Sequence, residues 1–281
     1  MLRLGLIGHP IRHSLSPFLH QAFAEACGHA VEYLLYDLKP HELPDFLNEF
    51  AHVGIGLNVT APYKTDIINI LKSIQPHVLN LRAANLLWLE GRTWHADNVD
   101  GLGFSKAIDR WGPLLEGSDV LILGAGSVVA SILPELQARC PHSITIASRR
   151  GSNGLCSQSK LPSLCAPWSE CQISQLNRPY DCVIQATSAG VLGERLNIPD
   201  IVFSKDTKVM DLNYGVAAKI FLDHVQSLGV SDVMDGILML CEQAALSYAR
   251  WTGVMPDLKK IYASDAFQQK AFFKLSSRLF K

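Results

Sequence analysis

The sequence predicts an α/β fold in two domains, and three observations carry the prediction. Short apolar runs of strand length alternate with stretches of helical spacing along most of the chain. Near the middle, the glycine turn Gly124-Ala-Gly126 joins a clear strand to a helix. The length, 281 residues, suits one large or two modest domains with ample core. The expected division sets 1–100 together with 236–281 against 101–235, the chain crossing near Gly101 and Gly236.

Leu2–Ile7 reads as the first strand, closed by Gly8-His-Pro10. Ser16 reads as a helix N-cap with Pro17 at the first helical position, the helix running to Cys27-Gly28. Val31–Tyr36 is the next strand, Glu42–Phe50 a short helix and Gly54–Asn58 a third strand. Ile67, Ile68, Ile70 and Leu71 then keep helical spacing. Asn85–Leu89 and Thr93–His95 flank Glu90-Gly91, a hairpin signal that brings mixed pairing into the first sheet. A helix from Asp100-Gly101 to about Trp111 crosses into the second domain. There, strands are expected at Asp119–Leu123, Ser143–Ala147, Asp181–Gln185, Lys208–Leu212 and Val230–Met234. One helix follows the glycine turn towards Ala138 and another spans Ala217–Leu228. From Gly236 the pattern is helical through Arg250, and a last helix follows Pro256 to the C-terminus. Gly151–Ser169, rich in Ser, Cys, Pro and Gly, reads as mostly loop.

Composition narrows the class of function. Hydrophobic residues at 48% and charged residues at 18% exclude a disordered chain. With a net charge of −1 and no block of like charge, neither nucleic acid nor an anionic membrane is indicated as a partner. The seven cysteines are scattered without a C-x-x-C pair, which fits reduced thiols better than a disulfide frame or zinc site. Met-Leu-Arg-Leu-Gly-Leu-Ile-Gly at the start reads as a strand rather than a signal peptide. No window approaches ~18 uninterrupted apolar residues, so no transmembrane helix is expected. The expectation is a cytoplasmic enzyme or binding protein, monomeric or homodimeric.

Two stretches carry chemistry. Asp119-Val-Leu-Ile-Leu-Gly-Ala-Gly-Ser127 runs a strand into G-x-G and a helix, so Gly124, Ala125, Gly126 and Ser127 offer a tight turn and helix-terminal amides to a pyrophosphate. About twenty residues later, where an acidic side chain would meet the ribose hydroxyls of NAD, Ser148-Arg149-Arg150 stands instead. Two guanidinium groups there match a ribose 2′-phosphate, and the expected cofactor is NADP. The second stretch is Gly54-Ile-Gly-Leu-Asn-Val-Thr-Ala-Pro-Tyr-Lys64. Asn58 and Thr60 suit a hydroxylated small molecule, and a Lys beyond a buried strand can serve as a proton-transfer group.

These motifs, with Gly8-His-Pro-Ile-Arg-His-Ser-Leu-Ser-Pro17, Asn98-Val-Asp-Gly101, Ala186-Thr-Ser-Ala-Gly190, Asp211-Leu-Asn-Tyr214 and Asp235-Gly236…Gln243-Ala244, occur in one order along the chain. In that joint order the sequence resembles the shikimate dehydrogenases over nearly its whole length. The resemblance implies an N-terminal α/β substrate domain and a Rossmann NADP-binding domain. It also implies reversible reduction of 3-dehydroshikimate to shikimate by NADPH, a step of aromatic amino-acid biosynthesis towards chorismate. By the same resemblance Lys64 and Asp100 form the catalytic pair, and Ser14 and Ser16 bind the substrate carboxylate. Asn58, Thr60, Asn85 and Gln243 surround the ring hydroxyls with Asp100, and Tyr214 lies at the carboxylate end. Thr187 and Gly236 join the glycine turn and the arginines on the cofactor side.

The chain departs from the family pattern at a few places. Leu86 stands where the family usually has Thr after the Asn, and Val99 replaces Thr between Asn98 and Asp100. Ser127 takes the place of a Gly, and Ser148 and Arg150 those of Asn and Thr. A paralogue acting on a related cyclic polyol acid such as quinate, or a non-catalytic NADP-binding sensor, are the alternative readings. His9, His13 and His20 lack a completing carboxylate or Cys, so no metal site is expected.

Overall fold

The computed structural model describes residues 1–112, 115–151 and 167–270. Contacts divide the chain into two compact units, Met1–Gly103 with Leu240–Ile261, and Phe104–Met239 with the chain from Tyr262 onward.

The first unit is built on a six-stranded sheet of β1 (Leu2–Gly8), β2 (Val31–Asp37), β3 (Gly56–Val59), β4 (Ser73–Ile74), β5 (Leu86–Glu90) and β6 (Thr93–Asp97), in the order β2-β1-β3-β5-β6-β4. β1 pairs in parallel with β2 and β3, whereas β5 runs antiparallel to β3 and β6. The helices are α1 (Ser16–Cys27), α2 (Leu43–Phe50), α3 (Asp66–Ile70) and α4 (Pro76–Leu81), then α5 (Asp100–Trp111), within which the division between units falls. One core cluster gathers Ile7, Leu57 and Val59 from the parallel strands with Leu43, Leu47 and Phe50 of α2. Burying these side chains on both faces explains why β1 and β3 read as near-continuous apolar runs.

The second unit carries β7 (Asp119–Leu123), β8 (Ser143–Ser148), β9 (Trp168–Gln172), β10 (Cys182–Gln185), β11 (Lys208–Asp211) and β12 (Val233–Met234) in one sheet, ordered β12-β11-β10-β7-β8-β9. All of its pairings are parallel. Strand order reverses between β7 and β10, the switch point at which a doubly wound sheet opens a crevice for a dinucleotide. Helix α6 (Ser127–Gln137) follows β7, and α7 (Val216–Ser227) follows β11. Helices α8 (Ile237–Thr252), α9 (Leu258–Ala263) and α10 (Asp265–Lys270) complete the described chain.

Several expectations shift. Helix α1 begins at Ser16 with Leu15 at the cap position, so Ser16 does not cap it; its hydroxyl is engaged by Ser14 instead. Within the stretch read as loop up to Ser169, Trp168 and Ser169 open β9, an edge strand whose mixed composition carries no alternation and which exists through its ladder with β8. The rest of that reading, 152–166, lies outside the described residues, as does the last helix beyond 270. β4 and α4 are too short to show a period. The strand expected over Val230–Met234 contracts to two residues: Asp232 is tied by its side chain to Trp111 and Lys208.

Candidate active site

In the first unit the chain after β3 turns sharply. Tyr63 is fully buried and its hydroxyl donates to the Leu38 carbonyl, which anchors the turn. The next side chain, Lys64, is only partly buried and lies against the start of α5. Lys64 Nζ is 2.5 Å from Asp100 Oδ2, with side-chain exposures of 16% and 7%. Asn85 Nδ2 donates to Asp100 Oδ1 at 2.8 Å, and the Asp100 amide donates to Asn98 Oδ1 at 3.0 Å. Asn85 in turn accepts from the Val99 amide at 2.8 Å. The carboxylate is therefore held at both oxygens, and the ammonium keeps two further N–H donors for an incoming oxygen.

Asn58 lies one layer deeper. It is 5% exposed; its Oδ1 accepts from Tyr33, and its two amide hydrogens go to the Asn85 carbonyl and Ser247 Oγ. Both donors of Asn58 are spent inside the fold, so its geometry is that of a clamp on the backbone of Asn85. Ser14 donates to Ser16 at 3.1 Å, bringing the two hydroxyls together at the start of α1. Thr60 is half-buried, and its amide is bonded to the Ile7 carbonyl. Gln243 is carried on α8, where Gly103 of α5 admits its close approach. A Cβ on Gly103 would lie 2.6 Å from Gln243 Cβ and 2.9 Å from its nitrogen. Leu86 and Val99 meet in one apolar cluster with Trp88, flanked by Leu246 and Trp251.

In the second unit Gly124 has φ +114 and sits tightly against the β10 loop. A Cβ there would come within 3.0 Å of the Ala186 carbonyl oxygen and 3.1 Å of the Thr187 methyl. Gly126 begins α6 without a side-chain cap, has open space around its Cβ position, and no acidic residue occupies the first helical turn. Unfilled amides at an uncapped helix N-terminus beside a switch point fit a pyrophosphate. Val129 and Ala130, which follow the turn, are fully buried. Ser148 donates to the Gly151 carbonyl at 3.1 Å, and Arg149 and Arg150 are exposed on the turn so formed. Thr187, Tyr214 and Gly236 follow the ends of β10, β11 and β12. Among the described residues no group of three or more His, Cys, Asp or Glu side chains is placed to hold a metal ion. His9 instead bonds Asp37, and His20 is buried.

A family profile described as the shikimate dehydrogenase substrate binding domain matches residues 6–87, and one described as the shikimate 5′-dehydrogenase C-terminal domain matches 236–264. The NADP(+) shikimate dehydrogenase of Chromohalobacter salexigens is 34% identical over 261 residues, covering 91% of this chain and 94% of that relative. This chain belongs to the shikimate dehydrogenase family. Among solved structures, the Thermus thermophilus shikimate 5-dehydrogenase in complex with NADP(H) and shikimate is 26% identical, with a TM-score of 0.78, covering 92% of this chain and 95% of that one. An Ael1 enzyme from Pseudomonas putida is 28% identical with a TM-score of 0.82, over 98% of this chain and all of the other.

The sequence motifs single out Lys64, Asp100 and Asn85, and the structure brings these three together. Tyr33, Ser247 and Gly103 stand outside those motifs and are brought to the site by the fold. Asn58 meets Tyr33 across 25 residues and Ser247 across 189, separations at which no local spacing carries a signal.

Proposed function

We propose that this chain reduces 3-dehydroshikimate to shikimate with NADPH, reversibly, with Lys64 and Asp100 as the acid–base pair. The observation that carries the reading is the Lys64–Asp100 contact at 2.5 Å, locked by Asn85. Gly124, Gly126, Ser127, Arg149 and Arg150 would hold NADPH, with Thr187 and Gly236 on its nicotinamide side; the bound cofactor supplies the hydride. Lys64 donates a proton to the carbonyl oxygen as negative charge develops there, and takes it back in the reverse reaction. Asp100 holds and orients the ammonium. Ser14 and Ser16 offer hydroxyl donors to the substrate carboxylate, and Thr60, Asn85 and Gln243 complete the surroundings that the first unit supplies. The working compartment is the cytoplasm, and the chain acts as a monomer or homodimer.

An absorbance assay at the NADPH wavelength tests this directly, with shikimate and then quinate as substrate and NADP or NAD as acceptor. Turnover of shikimate with NADP is the expected result. Faster turnover of quinate would move the substrate to a related polyol acid, and NADP binding without turnover of either would make the chain a sensor. Replacing Arg149 and Arg150 together with Ala should raise the KM for NADP about tenfold or more and leave that for NAD within about twofold, since a lost charge-assisted phosphate contact is worth roughly 1.5–3 kcal/mol. An equal loss with both cofactors would remove the arginines from the 2′-phosphate.

A further inference from the structure

Three loops that carry candidate residues in the second unit are joined by side chains to which the reaction assigns no part. Asp211 ends β11 and is fully buried. Its Oδ1 accepts from both the backbone amide and the side-chain amide of Asn213, each at 2.8 Å. The same Asn213 side chain donates to the Thr187 carbonyl at 3.0 Å, and the Asn213 carbonyl accepts from the Gly236 amide at 2.8 Å. Gln185, at the end of β10, accepts from the Thr187 amide. Asp235 accepts from the amides of Gly215 and Ile237 on either side of the same group.

We propose that Asp211 is a positioning residue which, through Asn213, fixes the loops bearing Thr187, Tyr214 and Gly236 in the arrangement that receives the nicotinamide half of the cofactor. This rests on the NADP reading above and deepens it. Three parallel strands end side by side here, and the loops beyond them have left the ladder that would otherwise set their spacing. Asn213 supplies the missing cross-links: one amide reaches back to Asp211 and across to Thr187, while its carbonyl reaches Gly236. Asp211 orients that amide. Without an acceptor at Oδ1, the Asn213 side chain has no reason to present its nitrogen to the Thr187 carbonyl. Burial favours the neutral carboxyl and raises Asp211 to about 8, with Asp235 the other acidic group acting on it. A neutral acid keeps Oδ1 as acceptor, so an amide can replace it.

The experiment measures NADP+ affinity by fluorescence titration, and kcat and KM by turnover, for Asp211→Ala, Asp211→Asn and Asn213→Ala, with thermal unfolding as the folding control. Asp211→Ala and Asn213→Ala should each weaken NADP+ binding at least tenfold and lower kcat, while Asp211→Asn restores affinity to within about threefold of wild type. If Asp211→Ala does not fold, Asn213→Ala, at a half-buried position, carries the same expectation. Folded Asp211→Ala or Asn213→Ala with affinity and kcat within twofold of wild type would overturn the proposal, as would an Asp211→Asn variant no better than Asp211→Ala. A wild-type chain that binds no NADP+ overturns the nucleotide reading and this proposal with it, whereas unaltered binding in the variants overturns this proposal alone.

Discussion

Replacing Lys64 with Ala removes the proposed proton donor and takes the ammonium away from the Asp100 carboxylate. General acid catalysis by a positioned side chain contributes about 10²–10⁴-fold, so kcat should fall by that order while the KM for shikimate changes far less. Steady-state kinetics at saturating NADP decides the matter, and a variant with near-wild-type kcat would take Lys64 out of the chemistry. Asn58 differs, because its amide serves the fold. Asn58→Ala removes three buried hydrogen bonds, from the Tyr33 hydroxyl and to the Asn85 carbonyl and Ser247 Oγ, while the Asn85 carbonyl keeps the Val59 amide. Together such losses cost about 1–3 kcal/mol. A urea titration should show a destabilisation of that size, together with a loss of kcat as Asn85 loosens beneath Asp100. Unchanged stability would return Asn58 to a purely substrate-facing role.

Helix α5 holds Asp100 in its first turn and meets α8 at Gly103. One turn of helix thus links the Asp100 carboxylate to the residue that lets Gln243 approach. Gly103→Ala sets a methyl group 2.6 Å from Gln243 Cβ, a distance that forces the two helices apart. Overpacking of this kind costs about 1–3 kcal/mol, and here it moves a candidate substrate ligand. The KM for shikimate should rise several-fold while that for NADP stays close to wild type. A variant that unfolds at lower temperature yet keeps its KM for shikimate would show that Gln243 does not touch the substrate. Leu86 and Val99 are likewise understood as a pair, since they share one apolar cluster with Trp88.

Across the whole molecule, two buried groups set opposite pH dependences. In the first unit His20 lies fully buried, stacked on Tyr33 at a centroid distance of 4.1 Å, and burial lowers it from 6.5 to about 3. A depressed folded value contributes stability that is present above 6.5 and is lost as the pH falls towards about 3. In the second unit burial raises Asp211 from 3.8 to about 8. That contribution is complete below 3.8 and is lost as the pH climbs towards about 8. Each group acts with a slope of at most about 1.4 kcal/mol per pH unit, so between 6.5 and 8 Asp211 acts without opposition from His20. Stability of the second unit should decline over that interval, and Asp211→Asn should flatten the decline. Urea midpoints at pH 6.5 and 8 give the comparison; an equal decline in the variant would assign the effect to other groups, Asp235 first among them, since burial raises it too.

Much of this protein is legible in its residues because much of it is local. The β7–glycine turn–α6 sequence, the basic pair two dozen residues on, and the apolar runs of β1 and β3 are contiguous signals governed by backbone sterics and burial. Lys64, Asp100 and Asn85 could be named from motif order. Edge strands were the exception: β9 has no pattern of its own and is stabilised by the strand beside it. Which donors remain available, however, is decided in three dimensions. Asn58 looks from the sequence like a ligand for a hydroxylated substrate, yet its hydrogens are consumed by groups 27 and 189 residues away. Asp211 lies within a recognised motif, but its bond to Asn213 gains meaning only when β10, β11 and β12 end together. A sequence specifies hydrogen-bonding groups, whereas their partners are assigned by packing, and it is the partner that separates a residue that meets substrate from one that holds its neighbour in place.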